Sequence, residues 1–554
     1  MAEPTSVRRP GPWIVRLLRA YGIETVFGIP GVHTLALYEG LADGGLRHVT
    51  PRHEQGAGFM ADGYARVTGR PACCFVITGP GLTNIATAMA QAYAESQPML
   101  VISSVSHRRH LGRGLGQLHE MPDQQALASA VSAFSHTLQR LDDLPAVLDR
   151  AFAVFAGGRP RPVHIEIPLD LWDAPVPADV PDGPPPQSDG RPGADQLRAA
   201  ASALADAERP VILAGGGARR AAKPLAALAT RLDAPVVMTT NGRGLLPPGH
   251  PLAVPASPSL DAVRRLIADS DAVLAVGTEL GPTDYDMYER GMPALPRPLI
   301  RADLDPVQMT QPQRADVPLL GAAATTLELL AEAVPEVRDR AFDGASRARR
   351  ARDQAAETFD APTRKTLAVL DTIRDSLPGA LLVGDSTQPT YAGNLGFAAA
   401  RPGQWFNSST GYGTLGFGLP AALGAAIAAP ERTVVCLIGD GGLHYTLGEL
   451  AAVRDAGEPL VVLLWDNQSY GEIKTAMQAQ GIAPVGVDLF APDFGQLARA
   501  YGFAYADVGA LDALPGLLQA AAVRSKPTLI RLDETVALAR PVGARSEGEQ
   551  SCRT

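Results

Sequence analysis

The stretch 432-RTVVCLIGDGGLHYTLGELAAVRDAGEPLVVLLWDNQSYG-471 holds two apolar runs that each stop abruptly at polar residues. TVVCLI ends at Gly439-Asp440-Gly441-Gly442, and PLVVLLW ends at Asp466-Asn467. Short apolar runs without alternation are buried on both faces, as strands of parallel sheets are. The segment TLGELAAVRDAG between them fits a helix, so the stretch reads as one right-handed βαβ unit. Asp440 and Asn467 then stand at the carboxyl ends of parallel strands, the edge where open α/β sheets bind ligands. Two oxygen donors there suit a hard cation, and magnesium completes its octahedron with phosphate oxygens and water. Gly441 and Gly442 allow backbone amides to approach a phosphate. Taken singly, Asp and Asn are ordinary turn residues; taken together, they point to a magnesium-bound diphosphate.

The same alternation of buried strand and helical pattern runs through nearly the whole chain. The fold class is therefore α/β, and three doubly wound parallel-sheet domains are expected. The Pro/Gly/Asp-rich stretch 174-APVPADVPDGPPPQSDGRPG-193 forms neither element and reads as a linker. A second break falls at 335–362, which leaves segments of about 5–172, 190–335 and 362–540. Residues 541–554, GARSEGEQSCRT and the two before it, read as a disordered tail. No short sequence repeat links the segments. GGG at 215–217 lacks the full dinucleotide-loop spacing and reads as a glycine-rich strand–helix turn.

Among 554 residues, 46% are apolar and 19% charged, ample for buried cores, and the net charge of −9 argues against nucleic acid as a partner. The basic run RARRAR at 347–352 reads as a solvated helix face. Four cysteines form neither a disulfide framework nor a zinc site; Cys73 and Cys74, adjacent on a strand, point to opposite faces. No apolar run is long enough to span a membrane, and Pro-Gly-Pro follows Arg8-Arg9 where a secretion signal needs an apolar run. A cytoplasmic protein is expected.

The GDG motif followed by Asn467 is similar to the diphosphate motif of thiamine diphosphate enzymes. Over almost its full length the chain resembles the acetolactate synthase/benzoylformate decarboxylase family. The resemblance implies that Asp440, Asn467 and the Ser469 carbonyl hold magnesium, with Gly441, Gly442 and Tyr470 beside the cofactor. Asp466 stands where the family often has a first asparagine. The segment 51-PRHEQGAGFMADGYAR-66 looks like the family's glutamate segment. Glu54 would hydrogen-bond the aminopyrimidine ring and favour the imino tautomer that takes the thiazolium proton; the cofactor is the electron sink. Read without the family, Glu54 is a carboxylate favoured at a helix start. The block 409-STGYGTLGFGLPAALGAA-426 resembles the loop that grips the aminopyrimidine through Gly413 and Leu415. Ser386 and Gln388 of 384-GDSTQP-389 fall near the diphosphate, and Gly79 and Asn84 are further implied cofactor contacts. The family draws the glutamate from one subunit and the magnesium site from another, so a homodimer or homotetramer is expected.

Family members decarboxylate 2-oxo acids, and the pocket decides whether the resulting enamine is protonated, coupled to a second carbonyl or oxidised. The segment with which acetolactate synthases bind FAD is replaced by HPLAVPASPSL, which argues against FAD. Glu472 and Ile473 occupy pocket positions, and a charged glutamate in an apolar pocket calls for a cationic partner or protonation. His119 stands where synthases have a glutamine; His119 and His33, which follows Val32, are candidates for proton transfer. The loop 277-GTELGPTDYDMYERG-291 offers Glu279, Asp284 and Asp286, which could hold a guanidinium, although a solvated acidic loop explains them equally. Within the family, FGIPGVHTL, LGRGLGQLHEMPDQ and GTELGPTDYDMY are most similar to decarboxylases of 5-guanidino-2-oxopentanoate (2-ketoarginine), which yield 4-guanidinobutanal and CO₂. Two other readings stay open: a carboligase joining a decarboxylated 2-oxo acid to a second carbonyl, and a non-catalytic cofactor-binding paralogue.

Overall fold

The computed structural model describes residues 9–539 except 43–44, 178, 182, 186–189, 286–289, 292, 294 and 336–342. The tail expected at 541–554, with Cys552, lies outside the described residues. Three six-stranded sheets follow one another along the chain, every pairing between neighbours parallel.

The first sheet comprises β1 (Thr25–Gly28), β2 (Arg47–Val49), β3 (Ala72–Val76), β4 (Met99–Val105), β5 (Phe134–Thr137) and β6 (Val163–Pro168), in the order β2-β1-β3-β4-β6-β5. The second contains β7 (Pro210–Ala214), β8 (Val236–Met238), β9 (Ala253–Val254), β10 (Ala272–Val276), β11 (Leu299–Asp303) and β12 (Val317–Leu320), in the order β12-β11-β10-β7-β8-β9. The third has β13 (Leu381–Gly384), β14 (Trp405–Asn407), β15 (Val434–Gly439), β16 (Leu460–Asp466), β17 (Ala504–Asp507) and β18 (Thr528–Asp533). Its order, β14-β13-β15-β16-β18-β17, repeats that of the first sheet. The central sheet instead has the 3-2-1-4-5-6 order of a dinucleotide-binding fold.

The apolar runs read from sequence are these strands. β15 and β16 are adjacent, with Gly439 in register with Trp465. Asp440 and the pair Asp466-Asn467 therefore leave the sheet side by side. Cys73 and Cys74 enter two different apolar cores, as alternation along β3 requires.

One core runs across the first and third domains, combining Phe59, Met60 and Ile85 with Phe417, Leu423 and Val462. Glycines set its closest approach. The helices Glu54–Thr68 and Gly418–Ala428 cross so tightly that a Cβ on Gly63 would lie 2.0 Å from the Ala421 oxygen, and one on Gly424 would lie 1.9 Å from the Met60 oxygen. The turn at 215–217 is held the same way: a Cβ on Gly215 would meet the Gly277 oxygen at 2.4 Å, so its glycines serve close packing.

The basic run at 347–352 is not simply a solvated face. It lies on the helix Gly344–Glu357, where Arg347 is 3% exposed and donates to the Arg209 and Pro210 carbonyls and Ser270 Oγ. Arg352 caps the Ala253 carbonyl at 2.6 Å, while Arg349 and Arg350 face solvent. Long cationic side chains here satisfy strand-edge carbonyls of the central domain.

Candidate active site

Sequence-predicted residues gather in two clusters, one at the carboxyl edge of each outer sheet. In the first domain Glu54 opens the helix Glu54–Thr68, where the helix dipole favours a carboxylate. The helix starts there because His53 Nδ1 accepts from Gln55 N at 3.1 Å, and it stops at Gly69, which takes the left-handed conformation at φ 68°. Glu54 is buried, and Asn84 Nδ2 donates to its Oε2 at 2.9 Å. Asn84 lies in the first turns of the helix Pro80–Ala94, whose N-cap is Gly79 at φ 68°. A Cβ on Gly79 would stand 2.3 Å from the His119 carbonyl oxygen, so the loop carrying His119 presses directly on this turn.

His119 itself has φ 64°, a left-handed conformation that costs a bulky residue energy and tends to occur at functional sites. Its ring meets that of His33 edge to face, with centroids 5.4 Å apart. His33 Nδ1 lies 3.2 Å from Thr78 Oγ1. Burial, then the neighbouring His119 and His107, hold the His33 imidazole below its ordinary range, so it is neutral at pH 7. Behind the turn, Gln124 Oε1 accepts from Gly79 N at 2.8 Å while its Nε2 donates to Ser104 O and to buried Glu166. Glu54, Asn84, Gly79, His33 and His119 thus form one assembly, and Val32 beside it is 63% exposed.

In the third domain Asp440 begins a short helix and is 2% exposed. Asn467 Nδ2 donates to Glu534 Oε2 and its Oδ1 accepts from Ser469 N, each at 3.2 Å, which orients the carboxamide. Gln468 between them adopts φ 54°. Gly441 faces Tyr470: a Cβ there would stand 2.8 Å from the Tyr470 ring. Gly442 faces Asp385 in the same manner, at 3.0 Å. Burial and then the charge of Asp466 push the Asp440 carboxyl upward, and Asp466 Oδ1 is buried without a partner although Oδ2 takes Arg531 Nε at 2.6 Å. A buried carboxylate at Asp440 with a second carboxylate close by, beside an oriented carboxamide oxygen, suits a dication. Among the described residues no three acidic, histidine or cysteine side chains form a metal cage. The expected donors are of another kind: a carboxylate, a carboxamide and a backbone carbonyl.

Gln388 and Glu472 join this edge, with Gln388 Nε2 donating to Glu472 Oε1 at 2.8 Å. Glu472 and Ile473 are exposed in the chain rather than enclosed by apolar neighbours. Ser386 Oγ lies 2.8 Å from Ser409 Oγ, which ties 384–389 to the loop carrying Gly413, at φ 78°, and half-buried Leu415.

Among the described residues, the acids of the loop at 277–291 do not join either cluster as free carboxylates. Asp284 turns into the central domain, where Thr240 N donates to it at 2.9 Å and burial raises its pKa. Glu279 pairs with Arg159. Asp284 serves the packing of the central domain and Glu279 is engaged by Arg159 of the first domain, which corrects the expectation that these two acids hold a guanidinium. Asp286 lies outside the described residues.

Three buried carboxylates escaped the sequence reading. Asp385 is fully buried and receives Ser386 N, Gly416 N and Gly418 N at 2.8, 3.2 and 2.8 Å, with burial raising its pKa to about 6. Glu449 Oε1 accepts from Arg52 N and His53 N, both at 3.0 Å, just before Glu54. Glu95, in the first domain, bonds Asn241 of the central domain and Thr410 of the third.

Thiamine pyrophosphate enzyme domains match along the chain: the N-terminal TPP binding domain at residues 9–127, the central domain at 197–330 and the C-terminal TPP binding domain at 385–532. The probable 2-ketoarginine decarboxylase AruI of Pseudomonas aeruginosa is 49% identical, over 96% of this chain and 95% of that protein. A probable acetolactate synthase large subunit of Methanocaldococcus jannaschii is 31% identical, over 93% of this chain and 90% of its own. The large subunit of acetolactate synthase isozyme 2 of Escherichia coli is also 31% identical, over 88% and 89%. The chain belongs to the thiamine pyrophosphate enzyme family.

Proposed function

We propose that the protein is a thiamine diphosphate-dependent, non-oxidative decarboxylase of 5-guanidino-2-oxopentanoate, releasing 4-guanidinobutanal and CO₂. The observation that carries the reaction class is the pair of sheet edges. One presents a buried Glu54 oriented by Asn84, and the other presents Asp440 and Asn467 side by side. The substrate rests on the likeness to the Pseudomonas aeruginosa relative and on Glu472, an exposed carboxylate that accepts from the Gln388 amide at the edge of the site.

Asp440, Asn467 Oδ1 and the Ser469 carbonyl would hold Mg²⁺, and Gly441 and Gly442 leave room for the diphosphate. Gly413 and Leu415 would bear on the aminopyrimidine ring, with Ser386, Gln388, Gly79 and Tyr470 lining the remaining cofactor surface. Bound thiamine diphosphate supplies a nucleophilic ring carbon and an electron sink for the charge left when CO₂ departs. Glu54 would exchange a proton with the ring it faces, and Asn84 keeps its carboxylate aimed. Loss of CO₂ from a 2-oxo acid leaves the carbonyl carbon one proton short of the aldehyde. His33, neutral and hydrogen-bonded to Thr78, and His119 stand where that proton can be relayed. Glu472 would pair with the guanidinium tail, and Val32 and Ile473 would flank its methylene chain.

Exposed apolar side chains on the site loops, among them Val32, Leu118, Tyr412, Ile473 and Phe490, give the surface a second reading as an interface. A homodimer or homotetramer that apposes Glu54 of one subunit to the Asp440 edge of another covers them. Among the described residues no helix is long and apolar enough to cross a membrane; a cytoplasmic location remains part of the proposal.

Incubation with 2-ketoarginine, with and without thiamine diphosphate and Mg²⁺, tests the reading by mass identification of the product. 4-Guanidinobutanal formed only when both are present is the expected result. A carbon–carbon-coupled product would move the protein to the carboligases.

A further inference from the structure

The helix Pro80–Ala94 carries more than Asn84. Gln91 and the C-cap residue Glu95 lie on the same stripe. At about 100° per residue, all three fall within roughly 40° of one another around the helix axis. Each meets a different partner. Asn84 holds Glu54. Gln91, fully buried, accepts through Oε1 from Thr414 Oγ1 at 2.8 Å and from Thr414 N at 3.3 Å. Glu95, also buried, accepts from Thr410 Oγ1 at 2.6 Å and, through Oε2, from Asn241 Nδ2 at 2.9 Å.

Thr410 and Thr414 bracket Gly411, Tyr412 and Gly413, which are exposed and have no strand or helix to fix them. Gly411 is needed at this spot, because a Cβ would stand 2.7 Å from Glu95 Oε1. The carboxylate is further anchored by Arg66, 3.8 Å away, whose Nε donates to Asp62 at 2.5 Å and whose guanidinium lies over the Phe406 and Phe417 rings. The loop is therefore gripped at both ends by the first domain, although it belongs to the third.

We propose that Gln91 and Glu95 are positioning residues that set loop 410–414 for the cofactor ring. One rigid helix, about 22 Å long, then fixes the activating glutamate of one site and, where Glu54 of one subunit meets the Asp440 edge of another, the aminopyrimidine loop of the neighbouring site. The inference rests on the proposed function for the role of that loop; the grip itself is independent of it.

The test measures thiamine diphosphate binding by calorimetry in Mg²⁺, together with hydrogen exchange of residues 408–416 in cofactor-free protein. Thr410→Val removes the hydroxyl that Glu95 accepts from and keeps the shape. A hydrogen bond to a charged group is worth roughly an order of magnitude in an equilibrium constant. Thr410→Val should therefore raise the Kd about tenfold and speed exchange of the loop. Thr410→Val/Thr414→Val should do so further. Asn241→Ala, which removes Glu95's partner in the central domain and leaves the loop bonds, should change neither readout. Wild-type Kd and loop exchange in Thr410→Val would overturn the proposal. So would equal weakening by Asn241→Ala with a lowered melting temperature, because the junction would then serve domain docking alone. If the unsubstituted chain binds no thiamine diphosphate, the proposed function fails and this inference with it, whatever the exchange rates.

Discussion

The first and third domains share one strand order and face their ligand with opposite chemistry. Both sheets run 2-1-3-4-6-5 in their own numbering, and both gather polar residues at the carboxyl edge. The first edge presents the buried Glu54 carboxylate and two imidazoles, packed around a glycine turn. The third presents oxygen donors and a glycine pair. Their resemblance lies in topology, with no repeat in the sequence to announce it. The difference lies in a few residues where strands end, which is where function is grafted onto a shared fold. The central sheet, with a different order, supplies neither cluster; Asp284 turns inward there to accept from Thr240.

If the first edge does chemistry and the third holds the cofactor, substitutions on the two should fail differently. Glu54→Gln is expected to cost the most, lowering kcat by about 10²–10⁴-fold while thiamine diphosphate still binds. Turnover and cofactor affinity measured on the same preparation check this; unchanged turnover would erase the distinction between the edges. Asp440→Ala should instead abolish Mg²⁺-dependent cofactor binding, raising the Kd by at least about 100-fold. Calorimetry with and without Mg²⁺ reads the loss directly, and retained binding would mean the oxygen donors are only turn residues.

Glu472→Gln sharpens the comparison within the third edge. It should lower kcat/KM for 2-ketoarginine about tenfold and leave a neutral 2-oxo acid nearly unaffected. Equal losses on both substrates would assign Glu472 to proton transfer.

The smallest effect on turnover concerns the contact between the two domains, where the readout is stability. Burial raises the Glu449 pKa from the ordinary 4.5 to about 7. The folded state therefore holds its proton more tightly than the unfolded chain does, and stability falls as pH rises from about 4.5 to about 7. The loss amounts to about 3 kcal/mol by pH 8. Glu449→Gln keeps an oxygen for the Arg52 and His53 amides. It should raise the melting temperature by a few degrees at pH 8 and leave it unchanged at pH 5. A shift of the same size at both pH values would exclude titration of Glu449.

Much of this was legible in the sequence because it is local. Apolar runs broken by turn residues gave the strands, and Asp440 and Asn467 are linked by a single βαβ unit. Glu54 was readable from its own segment. What stayed hidden depends on contacts between distant segments. Glu95 meets Thr410 across 315 positions and Glu449 meets Arg52 across 397, so no spacing rule could reveal either. The acidic loop misled for the same reason: only the fold brings Thr240 to Asp284 and Arg159 to Glu279. Arg347, read as solvated, is buried because strand-edge carbonyls of the central domain lie within its reach. Glu472, expected among apolar neighbours, is exposed among the described residues.

The most direct test of the central claim is the rate of CO₂ release with thiamine diphosphate and Mg²⁺ from 2-ketoarginine, pyruvate, benzoylformate and 2-oxoisovalerate. The account predicts a kcat/KM for 2-ketoarginine at least about tenfold above the others, with 4-guanidinobutanal as its product. A preference for pyruvate, with acetolactate formed, would contradict it and leave Glu472 without its cation.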